Sequence, residues 1–431
     1  MIFDEQKIEG LIGRCRLAEA SAMLAMEQPA SPLRAAVCAL AGDDRGLARY
    51  VAPELLACRS AADVAAYYAA TRLEPSSYDH LVAGTVLALV PDGAGACDSL
   101  RVAHDRAIGE RRFDLAVAAR ERLAHHALLF GEIDAARKAI EGAIVLAQTH
   151  RFANWLLRSL AAGASLALDA GDLDHGAELL SRGRAAAGSP QDLALFAATG
   201  AQLAVELGDD VKLAEWSSAE MLEIALRCKH PEAAIAATLA GLIAAGAPAA
   251  GEPVAIALRR ALMQADGASN APELFSIAAR YGNLDEARFG VDALSAVAAP
   301  ERPYLRGHRF LARAHFLLRS GERGGWIDCA GDAARAFSSI GLRRWTNEAM
   351  GLLVSQEPSS ERRTRGRSGS ALTGREEQVA QLIRRGARNR EVAAALQISE
   401  HTVERHVSSI LGRLGLRSRW QIADSGKHAE D

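Results

Sequence analysis

Apolar residues in this chain recur three and four positions apart, and no stretch alternates long enough to read as a series of strands. The clearest pattern stands near the C-terminus. Thr373 and Glu376 have the spacing of a capping box, so a helix is expected to start there. Val379, Leu382 and Ile383 give it one apolar face, and Gly386 is its expected left-handed stop. Asn389 can cap a second, shorter helix with Val392, Ala393 and Leu396 on its inner side. Gln397 and Ile398 leave room only for a tight turn. Ser399 can then cap a third helix, on which Val403, Val407, Ile410, Leu411 and Leu414 form one stripe. His401, Glu404, Arg405, Ser408 and Arg413 fall on the opposite face. Gly412 softens the end of this helix, because glycine costs about 1 kcal/mol relative to alanine there. Gly415 ends it, and Ser418 can cap a fourth, short helix holding Trp420 and Ile422.

The same spacing runs through residues 1–357, which read as an all-α region. Alanine, leucine and arginine dominate it, and these are strong helix formers. A phrase recurs where helices should meet: GEIDAA from Gly131, GDLDHGA from Gly171 and GNLDEA from Gly282. Weaker echoes stand at Gly93, Gly208, Gly246 and Gly321, at successive separations of 38, 40, 37, 38, 36 and 39 residues. The expected mechanics are simple. Glycine closes one helix in the left-handed conformation, an acidic residue caps the next, and a small alanine lets the pair pack closely. Such a period predicts stacked helical hairpins, similar to tetratricopeptide-like repeats. The alternative is an irregular helical domain. Residues 233–250 carry no charge, but Ile235, Leu239, Leu242 and Ile243 fall on one face and Pro248 ends the run. A buried helix is expected there rather than a membrane span. Residues 359–370 contain no apolar side chain large enough to pack, so residues 358–370 are expected to be a linker.

Charge divides along the same boundary. Residues 358–431 carry 14 basic and 9 acidic residues, a net +5, while residues 1–357 carry a net −8 within a chain of −3. A basic tail on an acidic body suits a nucleic-acid partner for the tail alone.

With these pieces in order, residues 371–426 resemble the four-helix LuxR-type (NarL/FixJ-like) DNA-binding domain. The resemblance rests on LTGRE, GARNREVA, LQIS, HTVERHV, the IL and RLG pieces, and RSR. It covers roughly the last seventh of the chain, with a tail at 427–431. It implies a helix-turn-helix at about 389–408 whose third helix enters the major groove of double-stranded DNA. Glu404, Arg405 and Ser408 would then face base edges, with Arg405 the best candidate for guanine. Thr402, Arg390, Arg413, Arg417 and Arg419 are the candidates for phosphate contacts. Trp420 and Ile422 would pair two domains as a homodimer on a two-fold site. Two departures bear on which site is read: Glu404 stands where relatives often carry lysine, and Arg388 where they often carry serine. Residues 321–353 also resemble the closing repeat that precedes this domain in large LuxR-type regulators.

Other chemistry is not signalled. The cysteines at 15, 38, 58, 97, 228 and 329 are scattered and form no CxxC pair, as expected of a reducing cytoplasm. The acidic start MIFDEQ does not read as a signal peptide. No phosphate loop, nucleophile elbow or HExxH is present, and the adjacent His125 and His126 lack spaced partners for a metal. The reading is therefore a bacterial, cytoplasmic and nucleoid-associated regulator, not an enzyme, with no cofactor and no membrane partner. Its helical repeats would receive a protein, peptide or small-molecule effector. The alternative for the body is a protein-interaction scaffold.

Overall fold

A computed structural model describes residues 51, 53–58, 60–71, 75–89, 95–227, 231–245, 258, 272–296, 302–321, 325–355, 372, 374–384, 387–396, 398, 400–414 and 422. The acidic start, Cys15, Cys38, Cys228, the echoes at Gly93 and Gly246, Pro248 and residues 358–370 lie outside that set.

All regular structure among the described residues is helical, as the spacing predicts. The first described helices are α1 (Pro53–Leu56), α2 (Ala61–Thr71), α3 (Ser77–Leu89) and α4 (Ala96–Gly109). Two long hairpins follow: α5 (Phe113–Phe130) with α6 (Ile133–Thr149), then α7 (Ala153–Asp169) with α8 (Leu173–Ala186). Shorter helices α9 (Pro190–Ala194), α10 (Ala197–Leu207), α11 (Asp210–Trp216) and α12 (Ala219–Arg227) lead to α13 (Pro231–Ala245). The body continues with α14 (Pro272–Tyr281), α15 (Leu284–Ser295), α16 (Pro303–Ser320), α17 (Trp326–Ser339) and α18 (Arg343–Ser355).

The recurrent phrase does make hairpin turns. Gly131 and Gly171 both take φ +82°, and each turn is closed by the same pair of backbone bonds. Gly131 N–H donates to Leu128 O (2.9 Å) and Glu132 N–H to Ala127 O (2.8 Å). Gly171 N–H donates to Leu168 O (2.9 Å) and Asp172 N–H to Ala167 O (2.8 Å). Capping varies more than expected. Asp172 accepts the His175 N–H, whereas the Glu132 side chain makes no cap bond. At the third phrase Gly282 is not left-handed. There Asn283 and Glu286 form the full capping box, and glycine is needed because a Cβ would lie 2.7 Å from Ala278 O. Between these hairpins the chain turns at Arg111 and Arg151, both at φ +58° and neither a glycine. Non-glycine residues there cost about 1–2 kcal/mol, so no composition signal marked them.

Consecutive hairpins pack on one another, α4 on α5, α6 on α7 and α17 on α18. The body departs from a simple row, in which units touch only their neighbours. Helix α5 also meets α16, and α7 meets α18. Arg344 Nε on α18 donates to Asp169 Oδ1 on α7 at 2.7 Å across 175 residues of sequence. The Arg302 guanidinium lies 4.5 Å from the Phe130 ring centroid. The row thus curls until its later hairpins touch its earlier ones.

The uncharged stretch forms α13, which buries Ala233, Ala237, Ala240 and Leu242. Ile235, Leu239 and Ile243 are only partly buried, so of the expected large side chains Leu242 alone is fully buried, beside the alanines. No described helix is long and apolar enough to cross a membrane. His125 and His126 sit side by side with ring centroids 5.4 Å apart. Burial and the nearby Arg122 push His125 down to about 3, and His126 falls well below its ordinary value, so both are neutral at pH 7.

Candidate nucleic-acid interface

Three described helices follow the body: α19 (Gly374–Arg384), α20 (Asn389–Leu396) and α21 (Glu400–Leu414). Their shared core contains Val379, Ile383, Val392, Val403 and Ile410, each at most 1% exposed. The expected apolar stripes therefore face one another. Thr373, Gly386, Gln397, Ser399, Gly415 and Ser418 lie outside the described residues, so their capping and turn roles are not seen. Helix α20 starts one residue earlier in its cap than expected. Asn389 is its first helical residue, and the Arg388 backbone N–H donates to Glu391 Oε2 (2.7 Å) in the cap position. Arg375 ties α19 to the end of α20 by donating to Leu396 O (2.9 Å).

The candidate contact residues divide into two groups. Glu404, Arg405 and Ser408 are exposed on α21, and Arg390 is exposed on α20. The Ser408 hydroxyl donates to the Glu404 carbonyl at 3.0 Å, which leaves its oxygen able to accept a bond from a base amino group. Thr402, expected at a phosphate, is only 3% exposed. Ile422, expected at a pairing surface, is 0% exposed and packs in the domain's own core. Arg413 lies on α21, but its side chain is not described, and Arg417, Arg419 and Trp420 lie outside the described residues. Nor is the side chain of His401 described.

Two residues here, His406 and Ser409, are not marked by the sequence pattern, and Gly208 is marked there only as a weak echo of the repeat. His406 is 0% exposed, and neither ring nitrogen meets a partner among the described residues. Burial, with Arg375 nearby, lowers it to about 4. Ser409 Oγ donates to Glu376 Oε1 (2.6 Å), joining α21 to α19. Gly208 of the body abuts this pair: a Cβ there would lie 2.8 Å from Glu376 Oε1 and 3.0 Å from Ser409 Oγ. Ser409 stands seven residues after Thr402, hence on the same stripe of the helix. That repeat was the available signal.

The body and the three helices thus share a seam. Helix α10 contacts α21, and the Glu206 carboxylate acts on the Arg375 guanidinium, whose basicity burial lowers. Beside this contact a cavity of about 1170 Å³ separates Ile398 and Thr402 from the turns at Gly131, Gly171 and Gly341.

Residues 370–425 match the family described as bacterial regulatory proteins, luxR family. A Mycobacterium bovis protein named as an HTH-type transcriptional regulator is 34% identical over 79 residues, which is 18% of this chain and 9% of that protein. A Mycobacterium tuberculosis H37Rv protein named likewise matches to the same extent. A Bacillus subtilis protein named as a transcriptional regulatory protein, YhcZ, is 50% identical over 52 residues, 12% of this chain and 24% of that one. The matched segments thus span under a tenth of the mycobacterial relatives and about a quarter of the Bacillus one. A solved circular tandem repeat protein aligns over 99% of each chain at 15% identity with a TM-score of 0.16, too low to carry an argument. The motif order, the three packed helices and the family match coincide at the C-terminus, and residues 370–425 are a LuxR-family helix-turn-helix domain.

Proposed function

We propose that this chain is a DNA-binding transcriptional regulator whose C-terminal domain reads operator DNA and whose helical body receives the signal. The observation that carries the reading is the exposed polar face of α21, where Glu404, Arg405 and Ser408 project from a helix held by a buried core. Arg405 would donate to guanine O6 and N7, and Glu404 would accept from a cytosine amino group. Arg390, Arg413, Arg417 and Arg419 would grip phosphates, together with Thr402 once it is uncovered. Two copies would bind a two-fold site as a homodimer, with Trp420 the remaining candidate for pairing. The effector would be a protein, peptide or small molecule held by the body, and the protein would work in the cytoplasm. The mechanism is binding and needs neither catalysis nor a cofactor.

The test is duplex binding by residues 368–431 as a function of salt. Affinity should fall steeply as salt rises, as release of counterions requires. Arg405→Ala should cost roughly 1–3 kcal/mol at the preferred sequence and relax base preference there. Arg390→Ala should weaken all sequences alike and lower the salt slope by about one charge. A fragment that is folded by circular dichroism yet binds no duplex at low salt would refute the reading and favour a protein-docking role for these helices.

A further inference from the structure

The stripe of α21 that carries Thr402 and Ser409 is turned toward the body, while the stripe that carries Glu404, Arg405 and Ser408 stays exposed. The body therefore leaves the base-reading face open and occupies the flank beside it. That flank matters because of groove geometry. An α-helix about 10–12 Å across fills a major groove about 12 Å wide, so a phosphate strand runs along each side of it. On the Thr402 side, the space for that strand is the cavity of about 1170 Å³. Its far wall is the hairpin-turn edge of the body, with the carboxylates of Glu132, Asp134, Asp172 and Asp174 against the cations of Arg137 and Arg343. The net charge of that wall is negative. It attracts a basic domain and repels phosphate. At the other end of the stripe, Gly208 admits Glu376 and Ser409 only because it lacks a side chain.

We propose that the hairpin-turn edge of the body, together with Gly208, is a docking surface for the chain's own DNA-binding domain, and that docking competes with duplex DNA for the Thr402 flank of α21. This rests on the DNA-binding reading above. The docked chain is the DNA-excluding form, and whatever separates the seam raises affinity for DNA. Coupling of this kind is reciprocal: DNA must also loosen the seam.

The structure supplies a direct test. A Cβ at Gly208 lies 3.5 Å from Ser409 Cβ, within the range a disulfide spans. In the full chain, Gly208→Cys with Ser409→Cys should form an intramolecular disulfide on mild oxidation, identified by peptide mass against each single variant. A mixed-sequence duplex at low salt should slow its formation at least fivefold, and the oxidised chain should bind that duplex at least tenfold more weakly than the reduced one. Equal binding by both forms overturns the proposal. Failure of the folded fragment 368–431 to bind that duplex, although the disulfide forms readily in the full chain, overturns the DNA-binding reading, and the competition with it.

Gly208 has φ +67°, so cysteine there is strained, and a second pair of variants avoids it. Asp134→Asn with Asp174→Asn neutralises two exposed cavity carboxylates. Duplex affinity of the full chain should rise at least threefold more than for the same charge change at exposed positions outside the cavity, Asp105→Asn with Glu220→Gln. An equal rise for both pairs would mean only a general charge effect and would overturn the docking.

Discussion

His406 shows how one residue can carry a pH dependence for a whole domain. Its ring is fully buried on α21, and burial lowers its proton affinity from the ordinary 6.5 to about 4. The folded domain therefore favours the neutral ring, and the unfolded chain takes the proton first. Stability is fully present above about pH 6.5 and is lost as the pH falls toward 4. Between pH 7 and pH 5 the loss from this residue should be about 2 kcal/mol. Thermal unfolding of the full chain at the two pH values should show it, and His406→Leu should remove this residue's share of the difference. Identical slopes for the two proteins would show that the ring is not neutral when folded. The residue stands three after Val403 and four before Ile410, inside the apolar stripe, so its burial was legible from spacing. Its polar side-chain type hid it. The burial of Thr402 and Ile422 was hidden for a different reason. Both were placed by what an isolated DNA-bound domain would do, and neither the body beside Thr402 nor the packing of Ile422 is written in local spacing.

At the scale of elements, glycine separates two kinds of position that look alike in sequence. Gly200 on α10 packs against Trp216, and a Cβ there would lie 2.3 Å from the indole Cε2. Gly351 on α18 has no atom within 4 Å of its Cβ position. Gly200→Ala should cost about 1–3 kcal/mol through overpacking. Gly351→Ala should stabilise by about 0.4–1 kcal/mol, because it only reduces the freedom of the unfolded chain. Urea unfolding of both variants checks the pair, and shifts in the same direction would mean the packing around Trp216 has been misjudged. The helices themselves were legible because periodicity is local, as were the glycine turns at Gly131 and Gly171. The turns at Arg111 and Arg151 were not, since each is imposed on an unfavourable residue by the hairpins on either side.

The whole molecule is shaped by contacts that no repeat period foretells. Arg344 clasps Asp169 across 175 residues and lies 3.9 Å from the Trp345 ring centroid. The Asp169 side chain is 5% exposed, so removing its partner leaves a carboxylate that burial already disfavours. Arg344→Ala should cost about 3–5 kcal/mol in urea unfolding, and Asp169→Leu in the same chain should recover part of it. A cost below about 1 kcal/mol would mean that the curl is held elsewhere, a threshold set by the worth of an exposed ion pair. The clasp holds the last body helix, and that helix bears on the seam. Helix α18 ends at Ser355, and the described C-terminal residues resume at Leu372. However the residues between them run, their number limits the span to about 60 Å. One domain confined within that radius is present at a local concentration on the order of a millimolar. A seam with an intrinsic dissociation constant near a millimolar would then be half occupied at any dilution of the protein. From that balance, about 1.4 kcal/mol gained or lost at the seam shifts the ratio of docked to free domain tenfold.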